Sequence, residues 1–378
     1  MKGVNYTVNE VLPNLYQLKL LDKRTKYFEA MWEIPEGVTY NAYLYKGEKV
    51  VLFDGWKIGY GELLVKTLSE LTDHIDYYVI HHMEPDHSGS FKEVVSSFKP
   101  KVLGHPMVKT LASEYYRIPF EFKALKDGEE LDVGLKLRFL FTPWLHWPET
   151  IMTYVQDYKA ILTCDAFGSF GFEQNLWLSR KYFMTVVGKY KDFVIRAVPK
   201  LSSLEIEKVL PAHGPLWGKE IIDEWVKWAK GEELEKATLI YGSMYGFSKS
   251  VVNKIVSMLR ERGVEVHVFG FNDTFHALVS EILTDIVDSK YIVVISPTYE
   301  GGPFWPVRDV VDTIAEKAKY KKRVLIVNTC GWGCVPAPYK SSFEKGGYDV
   351  RTVITIKGSL RDEDVKKLEE GIERLLES

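Results

Sequence analysis

The sequence predicts two domains of different construction, an α+β half with αββα layering followed by an α/β half built on a doubly wound, parallel, five-stranded sheet. Three observations lead there. At 378 residues the chain is long for a single core. Up to about residue 230, short runs rich in Val, Tyr, Leu and Phe alternate with turns, and helical stretches lie between some of them. From Ala237 onward the rhythm becomes strict strand and helix alternation. The predicted domains are 1–235 and 236–378.

In the first half the turns Lys46-Gly47-Glu48 and Asp127-Gly128 separate strand-like runs. A helix is expected over 88–98, after the apolar run 77–80. Ile221, Ile222, Trp225 and Trp228 recur at helical spacing, which predicts an amphipathic helix over 219–230 with these residues in the core. Gly231 ends it, and the charged GEELEK is the junction. In the second half, strands are predicted at 238–241, 264–269, 291–295, 323–328 and 350–356, and a last helix at 361–377. No internal repeat or low-complexity tract interrupts the pattern.

Composition narrows the function. Hydrophobic residues at 46% and charged residues at 27% exclude a disordered chain. A net charge of -3 with no long Lys/Arg cluster gives no nucleic-acid footprint. The N-terminus lacks a signal-peptide pattern and no run of apolar residues is long enough to span a membrane, so a cytoplasmic protein is expected. Cys164, Cys330 and Cys334 cannot form a disulfide framework, which fits a reducing compartment. The CxxxC pair matches neither a zinc ribbon nor a thioredoxin motif and is read as two ordinary thiols.

Chemistry concentrates in HHMEPDHSGS at 81–90. In extended chain His82 and Glu84 point to the same side and can meet at one point. Pro85 keeps Glu84 extended, and Asp86 and His87 lie at the following turn, facing a second point. Taken singly, these are a surface histidine, a helix-capping Asp and a turn. Packed together they repel or desolvate one another unless a cation joins them, so a metal centre is expected. Further ligand candidates each follow a strand-like run: His146 after LKLRFLF, Asp165 after AILTC, His213 after KVLPA. His81 points away from the cluster. His74, His105, His267 and His276 lack acidic or histidine company and are read as structural.

In the second half, three loops follow strands one, three and four. Ser243, Met244, Tyr245, Gly246, Phe247 and Ser248 open onto a helix beginning near Phe247, where small residues, hydroxyls and a helix N-terminus suit a phosphate. Neither a P-loop nor a GxGxxG fingerprint is present. Pro297, Thr298, Tyr299, Glu300, Gly301 and Gly302 form the second loop, and Thr329, Gly331, Trp332 and Gly333 the third. In a sheet of order 2-1-3-4-5 these three strand ends adjoin at the switch point where ligands bind. Tyr299 and Trp332 are candidates to pack on a flat ring, or plain packing residues.

HxExDH at 82–87, LHWPE around His146, CDAFGSFG around Asp165 and PAHG at 211–214 resemble the metallo-β-lactamase-like half of the flavodiiron proteins, also called A-type flavoproteins. TYNAYL at 39–44 and FDG at 53–55 resemble that family's first strands, and the likeness covers essentially the whole chain. It implies a metallo-β-lactamase-like domain followed by a flavodoxin-like domain that binds FMN. It also implies one iron on His82, Glu84 and His146, another on Asp86, His87 and His213, and a bridge through Asp165. Zinc hydrolases of the wider superfamily usually have HxHxDH; Glu84 in the second position favours iron. The implied function is an oxidoreductase that takes O2 to water, NO to N2O, or both. Two ferrous ions and a reduced flavin together hold the four electrons that O2 requires. The resemblance further implies a head-to-tail homodimer. No rubredoxin-like CxxC pair follows the second domain, so a separate donor is expected, a rubredoxin or a deazaflavin-type reductant. The alternatives are a dinuclear zinc hydrolase with a regulatory second domain, or an electron carrier with a degenerate metal fold.

Overall fold

In the first unit, β1 (Asn5–Leu12), β2 (Leu15–Asp22), the short ribbon β3 (Tyr27–Phe28) and β4 (Trp32–Glu33), β5 (Val38–Lys46), β6 (Val50–Phe53), β7 (Tyr77–Ile80), β8 (Lys101–Gly104) and β9 (Phe122–Ala124) follow in chain order. These belong to a computed structural model that describes residues 5–377. All but the ribbon form one sheet of order β1-β2-β5-β6-β7-β8-β9. A second sheet runs in sequence order through β10 (Glu130–Asp132), β11 (Lys136–Phe141), β12 (Ile151–Val155), β13 (Ala160–Cys164), β14 (Lys208–Pro211) and β15 (Trp217–Gly218). Alternate residues of both sheets meet in one core, where Tyr43, Phe53, Val79 and Leu103 pack with Leu137, Phe139, Ile151, Leu162 and Leu210. Helices α1 (Gly61–Ser69), α2 (Phe91–Phe98), α3 (Pro106–Tyr116), α4 (Leu176–Tyr182), α5 (Lys191–Ser202) and α6 (Glu220–Lys230) complete the αββα pattern.

The helix expected from residue 88 begins at Phe91. Close packing delays it: a Cβ on Gly89 would lie 2.1 Å from the Ile58 nitrogen and 2.3 Å from the Pro85 carbonyl, so residues 85–90 form tight turns instead. Ile221, Trp225 and Trp228 of α6 are buried as expected, whereas Ile222 is only half-buried. The division between the units falls between Ala229 and Lys230.

The second unit holds β16 (Leu234–Ser243), β17 (Glu265–Asn272), β18 (Phe275–His276), β19 (Ser289–Tyr299), β20 (Gly302–Pro303), β21 (Arg323–Cys330) and β22 (Asp349–Lys357). Its five long strands run parallel in the order β17-β16-β19-β21-β22, the 2-1-3-4-5 pattern. The predicted five-stranded sheet is thus extended by two short antiparallel additions, β18 on β17 and β20 on β19. Both faces are apolar, as a parallel sheet requires. Leu239, Val293, Ile295, Leu325 and Val327 join residues of α7 (Phe247–Glu261) and α11 (Asp362–Leu376) in one cluster. Their neighbours Ile240, Ile292, Val294, Val324 and Ile326 are equally buried on the other face. α8 (Val279–Ile286), α9 (Trp305–Lys317) and α10 (Ala337–Lys345) lie between the later strands in sequence.

Candidate functional site

Four strand ends supply the polar cluster of the first unit. His82, Glu84, Asp86 and His87 follow β7, His146 follows β11, Asp165 follows β13 and His213 follows β14. His82 Nε2 and His146 Nε2 lie 3.2 and 3.0 Å from Glu84 Oε2. His87 Nε2 and His213 Nε2 lie 3.4 and 3.3 Å from the two oxygens of Asp86. Asp165 divides itself between these groups. Its Oδ2 is 3.5 Å from both His82 Nε2 and His146 Nε2, and its Oδ1 is 3.0 Å from His87 Nε2 and 3.3 Å from His213 Nε2. Cys164, at φ 54°, takes a left-handed turn at the end of β13 just before Asp165.

Neighbours that sequence reasoning missed aim these rings. His82 Nδ1 is 2.8 Å from Glu149 Oε1, which also accepts the Met83 amide at 3.0 Å. His213 Nδ1 donates to the Thr39 carbonyl at 2.7 Å. With Nδ1 carrying the proton, each ring turns the Nε2 lone pair toward the cluster. The Tyr182 hydroxyl donates to Asp165 Oδ1 at 2.7 Å. Tyr182 closes α4 where the helix widens into a π turn at Phe183–Val187, a distortion common beside functional sites. Glu149 stands three residues beyond His146 in a motif already prominent in the sequence, and Thr39 opens the TYNAYL run, whereas nothing local marks Tyr182. His81 turns the other way: its amide and Nδ1 meet Asp54 at 2.8 and 2.6 Å, and its Nε2 meets Thr153 Oγ1 at 2.7 Å.

Electrostatics mark the cluster as incomplete without cations. Burial alone would suppress charge here, yet the groups charge one another. Burial works to lower His213, but the Asp165 and Asp86 carboxylates push it up to about 10. His82 and His87 are raised against the same burial, by Glu149 and Glu84 for the first and by Asp165 and Asp86 for the second. Burial would raise Glu84 and Asp165, but the facing imidazoles hold both below the usual carboxylate range. Even so, Asp86 Oδ1, Asp165 Oδ2 and His213 Nε2 are buried without a hydrogen-bond partner. Four imidazoles and three carboxylates, in two groups whose ligating atoms lie within 4.8 Å of one another, can hold two metal ions. Burial pushes the adjacent Cys164 thiol far up, so it stays neutral and is a poor ligand. A cavity of about 720 Å³, lined in part by Tyr27, Tyr40 and Lys57, reaches Glu84 and Asp86.

At the switch point of the second unit a cavity of about 340 Å³ is lined by Ser243, Met244, Tyr245, Phe247, Ser248, Pro297, Thr298, Thr329 and Gly331, and by Cys330 and Gly358, which sequence reasoning omitted. Gly358 follows the fifth strand, and its amide donates to the Cys330 carbonyl at 2.9 Å. Gly246 (φ 88°) precedes α7, whose first turn has no side-chain cap, leaving amides free for an anion. A Cβ on Gly246, Gly331 or Gly333 would meet no atom within 4 Å, so open space borders the glycines of the first and third loops. Tyr299 and Trp332 stand partly and largely exposed, at 38% and 78%. These loops fit a phosphate-bearing ligand with a flat ring.

Two expectations require correction. Cys330 and Cys334 are not two ordinary thiols: the chain between them folds back, their Cα atoms come to 5.2 Å, and they form a disulfide. Cys164 alone is free, so cysteine chemistry no longer argues for a reducing compartment. His74 and His267 do have acidic company, in Asp73 and Glu265 from the adjoining sequence and, for His267, in Asp285 brought to it by α8. His74 pairs with Asp73 at 2.7 Å on the surface, and His267 lies 2.5 Å from Asp285 of α8 and 2.9 Å from Glu265.

A β-lactamase-type αββα sandwich with a dinuclear N/O site, joined to a flavodoxin-type unit, defines the class of the molecule. The model of the ODP family beta lactamases matches residues 38–214. A flavo di-iron protein mutant from Thermotoga maritima is 34% identical, with 99% of each chain covered and a TM-score of 0.92. The nitric oxide reductase of Moorella thermoacetica is 25% identical over 85% of this chain and 86% of its own. The rubredoxin-oxygen oxidoreductase of Megalodesulfovibrio gigas is 26% identical over 78% of each chain. The chain belongs to the flavodiiron proteins.

Proposed function

We propose that this chain is an oxidoreductase that reduces O2 to water, NO to N2O, or both, with two irons in the first unit and FMN in the second. One observation carries the reading: the two oxygens of Asp165 face two separate sets of nitrogen and oxygen ligands, as a bridging carboxylate must. His82, Glu84 and His146 would hold one iron, Asp86, His87 and His213 the other. Ser243–Ser248, residues 297–302 and residues 329–333 would hold the flavin. When bound, the iron pair and the flavin supply the electrons and the paired coordination positions that the gas requires.

The chain's own groups set the conditions for that chemistry. Glu149 and the Thr39 carbonyl keep the Nδ1 protons of His82 and His213 in place, so that Nε2 remains available. Tyr182 keeps its proton, since burial and the adjacent Asp165 charge both push its hydroxyl well up, and it steadies the shared carboxylate. The four imidazoles are buried, while Glu84 and Asp86 border the cavity through which a small gas molecule would reach the site.

The two sites lie in different units. A head-to-tail homodimer would let the flavin of one subunit serve the irons of another, and a rubredoxin-type donor would refill the flavin; the name of the M. gigas relative supports the donor. No described helix is long and apolar enough to cross a membrane.

The test is anaerobic. Purified protein should be yellow and carry about two irons per chain, as the ligand set implies. Fully reduced, it should consume measured O2 or NO, and the two rates rank the substrates. Colourless protein with two zincs and no gas consumption would overturn the reading.

A further inference from the structure

The disulfide in the third flavin-type loop has no part in the function above. Cys330 ends β21 and lines the 340 Å³ cavity, while Cys334 is half-buried and reachable from solvent. Between them Gly331, Trp332 and Gly333 make no hydrogen bond among the described residues. Outside the ring the Val335 amide donates to Asn328 Oδ1 at 2.7 Å, but inside it Trp332 is 78% exposed and a Cβ on Gly331 or Gly333 would meet nothing. The Trp332 ring nevertheless reaches across to the second loop, 3.3 Å from where a Cβ on Gly301 would stand. So short a ring restrains the unfolded chain less than a long one, and its effect is local. Disulfides that solvent can reach are the labile, exchange-prone ones.

We propose that Cys330–Cys334 is a site of exchange with dithiols, and that its state sets how tightly the loops retain FMN; this rests on the flavin reading above. A dithiol supplies two electrons and two protons. One of its thiolates attacks Cys334 Sγ, the S–S bond breaks, and Cys330 leaves as a thiolate and takes up a proton. The second thiol then attacks the reagent's own sulfur in the mixed disulfide, releasing Cys334 as a thiol and the reagent as a cyclic disulfide. Closed, the five-residue ring holds Trp332 ready for the ligand; opened, the tryptophan must be ordered at the moment of binding.

The test follows FMN release by fluorescence from the full-length holoprotein after dilution, before and after anaerobic dithiothreitol, with thiols counted in denaturant. Thiols should rise from one to three per chain. Release should quicken on the order of three- to tenfold, as ordering one side chain implies. Cys334→Ser should release FMN quickly with or without reductant. Three thiols before reduction, or equal release rates in both states of the wild type, would overturn the proposal while leaving the flavin site intact. A protein that neither carries nor takes up FMN would overturn both.

Discussion

The hydroxyl of Tyr182 donates to Oδ1 of Asp165 at 2.7 Å, and both side chains are buried. That oxygen is the one closest to His87 and His213. In Tyr182→Phe the buried carboxylate loses a neutral donor, at a cost of about 1–3 kcal/mol. Metal-free Tyr182→Phe should therefore unfold at lower denaturant with an unchanged slope. A midpoint equal to that of the wild type would show that the bond contributes nothing.

Glu149 acts on His82 rather than on the centre. Glu149→Ala removes the acceptor of the Nδ1 proton and of the Met83 amide, freeing the ring to turn. Iron should be lost to a chelator competitor about 10–100-fold more readily, whereas Glu149→Gln, which keeps an acceptor oxygen, should lose less. FMN content should not change in either variant. Equal iron retention in Ala and wild type would remove Glu149 from the argument.

These partners explain what sequence could and could not reveal. The seven candidate ligands were legible because each is a polar residue stranded just past an apolar run, a local signal. The partners of His82 and His213 come from 67 and 174 residues away, and no periodicity records that. The five parallel strands were legible because each is a continuous apolar run, while β18 and β20 have only two residues each. The helix after His87 was placed too early because its first turn obeys a contact between Gly89 and Ile58 rather than propensity. Likewise CxxxC spacing does not reveal that the loop folds back on itself.

On the proposed ligand assignment, Glu84 would set which ion the first set prefers. Its carboxylate oxygen faces both His82 and His146, and replacing it with an imidazole gives a more zinc-like ligand set. Glu84→His loaded from an equimolar mixture should take a higher ratio of zinc to iron, bind FMN normally and lose O2 consumption. Unchanged O2 consumption would count against the role assigned to Glu84.

The metal-free protein should be alkali-sensitive. His213 is raised in the fold from its usual 6.5 to about 10 by Asp165 and Asp86 against the pull of burial. A raised folded value means the charged ring contributes fully below 6.5 and loses that contribution as pH rises through about 10. Thermal unfolding of the metal-free protein should fall in midpoint from pH 7 to pH 10, more steeply than in His213→Gln. A flat profile would mean that the buried ring is neutral throughout.

Gly246 allows the flavin loops to be probed without touching the first unit. Its φ of 88° is left-handed, so any side chain there is strained by about 1–2 kcal/mol. A Cβ would meet no protein atom within 4 Å, so what it would obstruct is the ligand at the head of α7. Gly263 provides a matched control: its φ is 79° and its Cβ would also stand free, but it lies beyond the far end of the same helix. Gly246→Val and Gly263→Val should therefore lose similar stability in denaturant titration. Only Gly246→Val should bind FMN weakly, as read from flavin fluorescence on titration. Equal FMN affinity in the two variants would place the phosphate away from the start of α7, because strain alone cannot separate them.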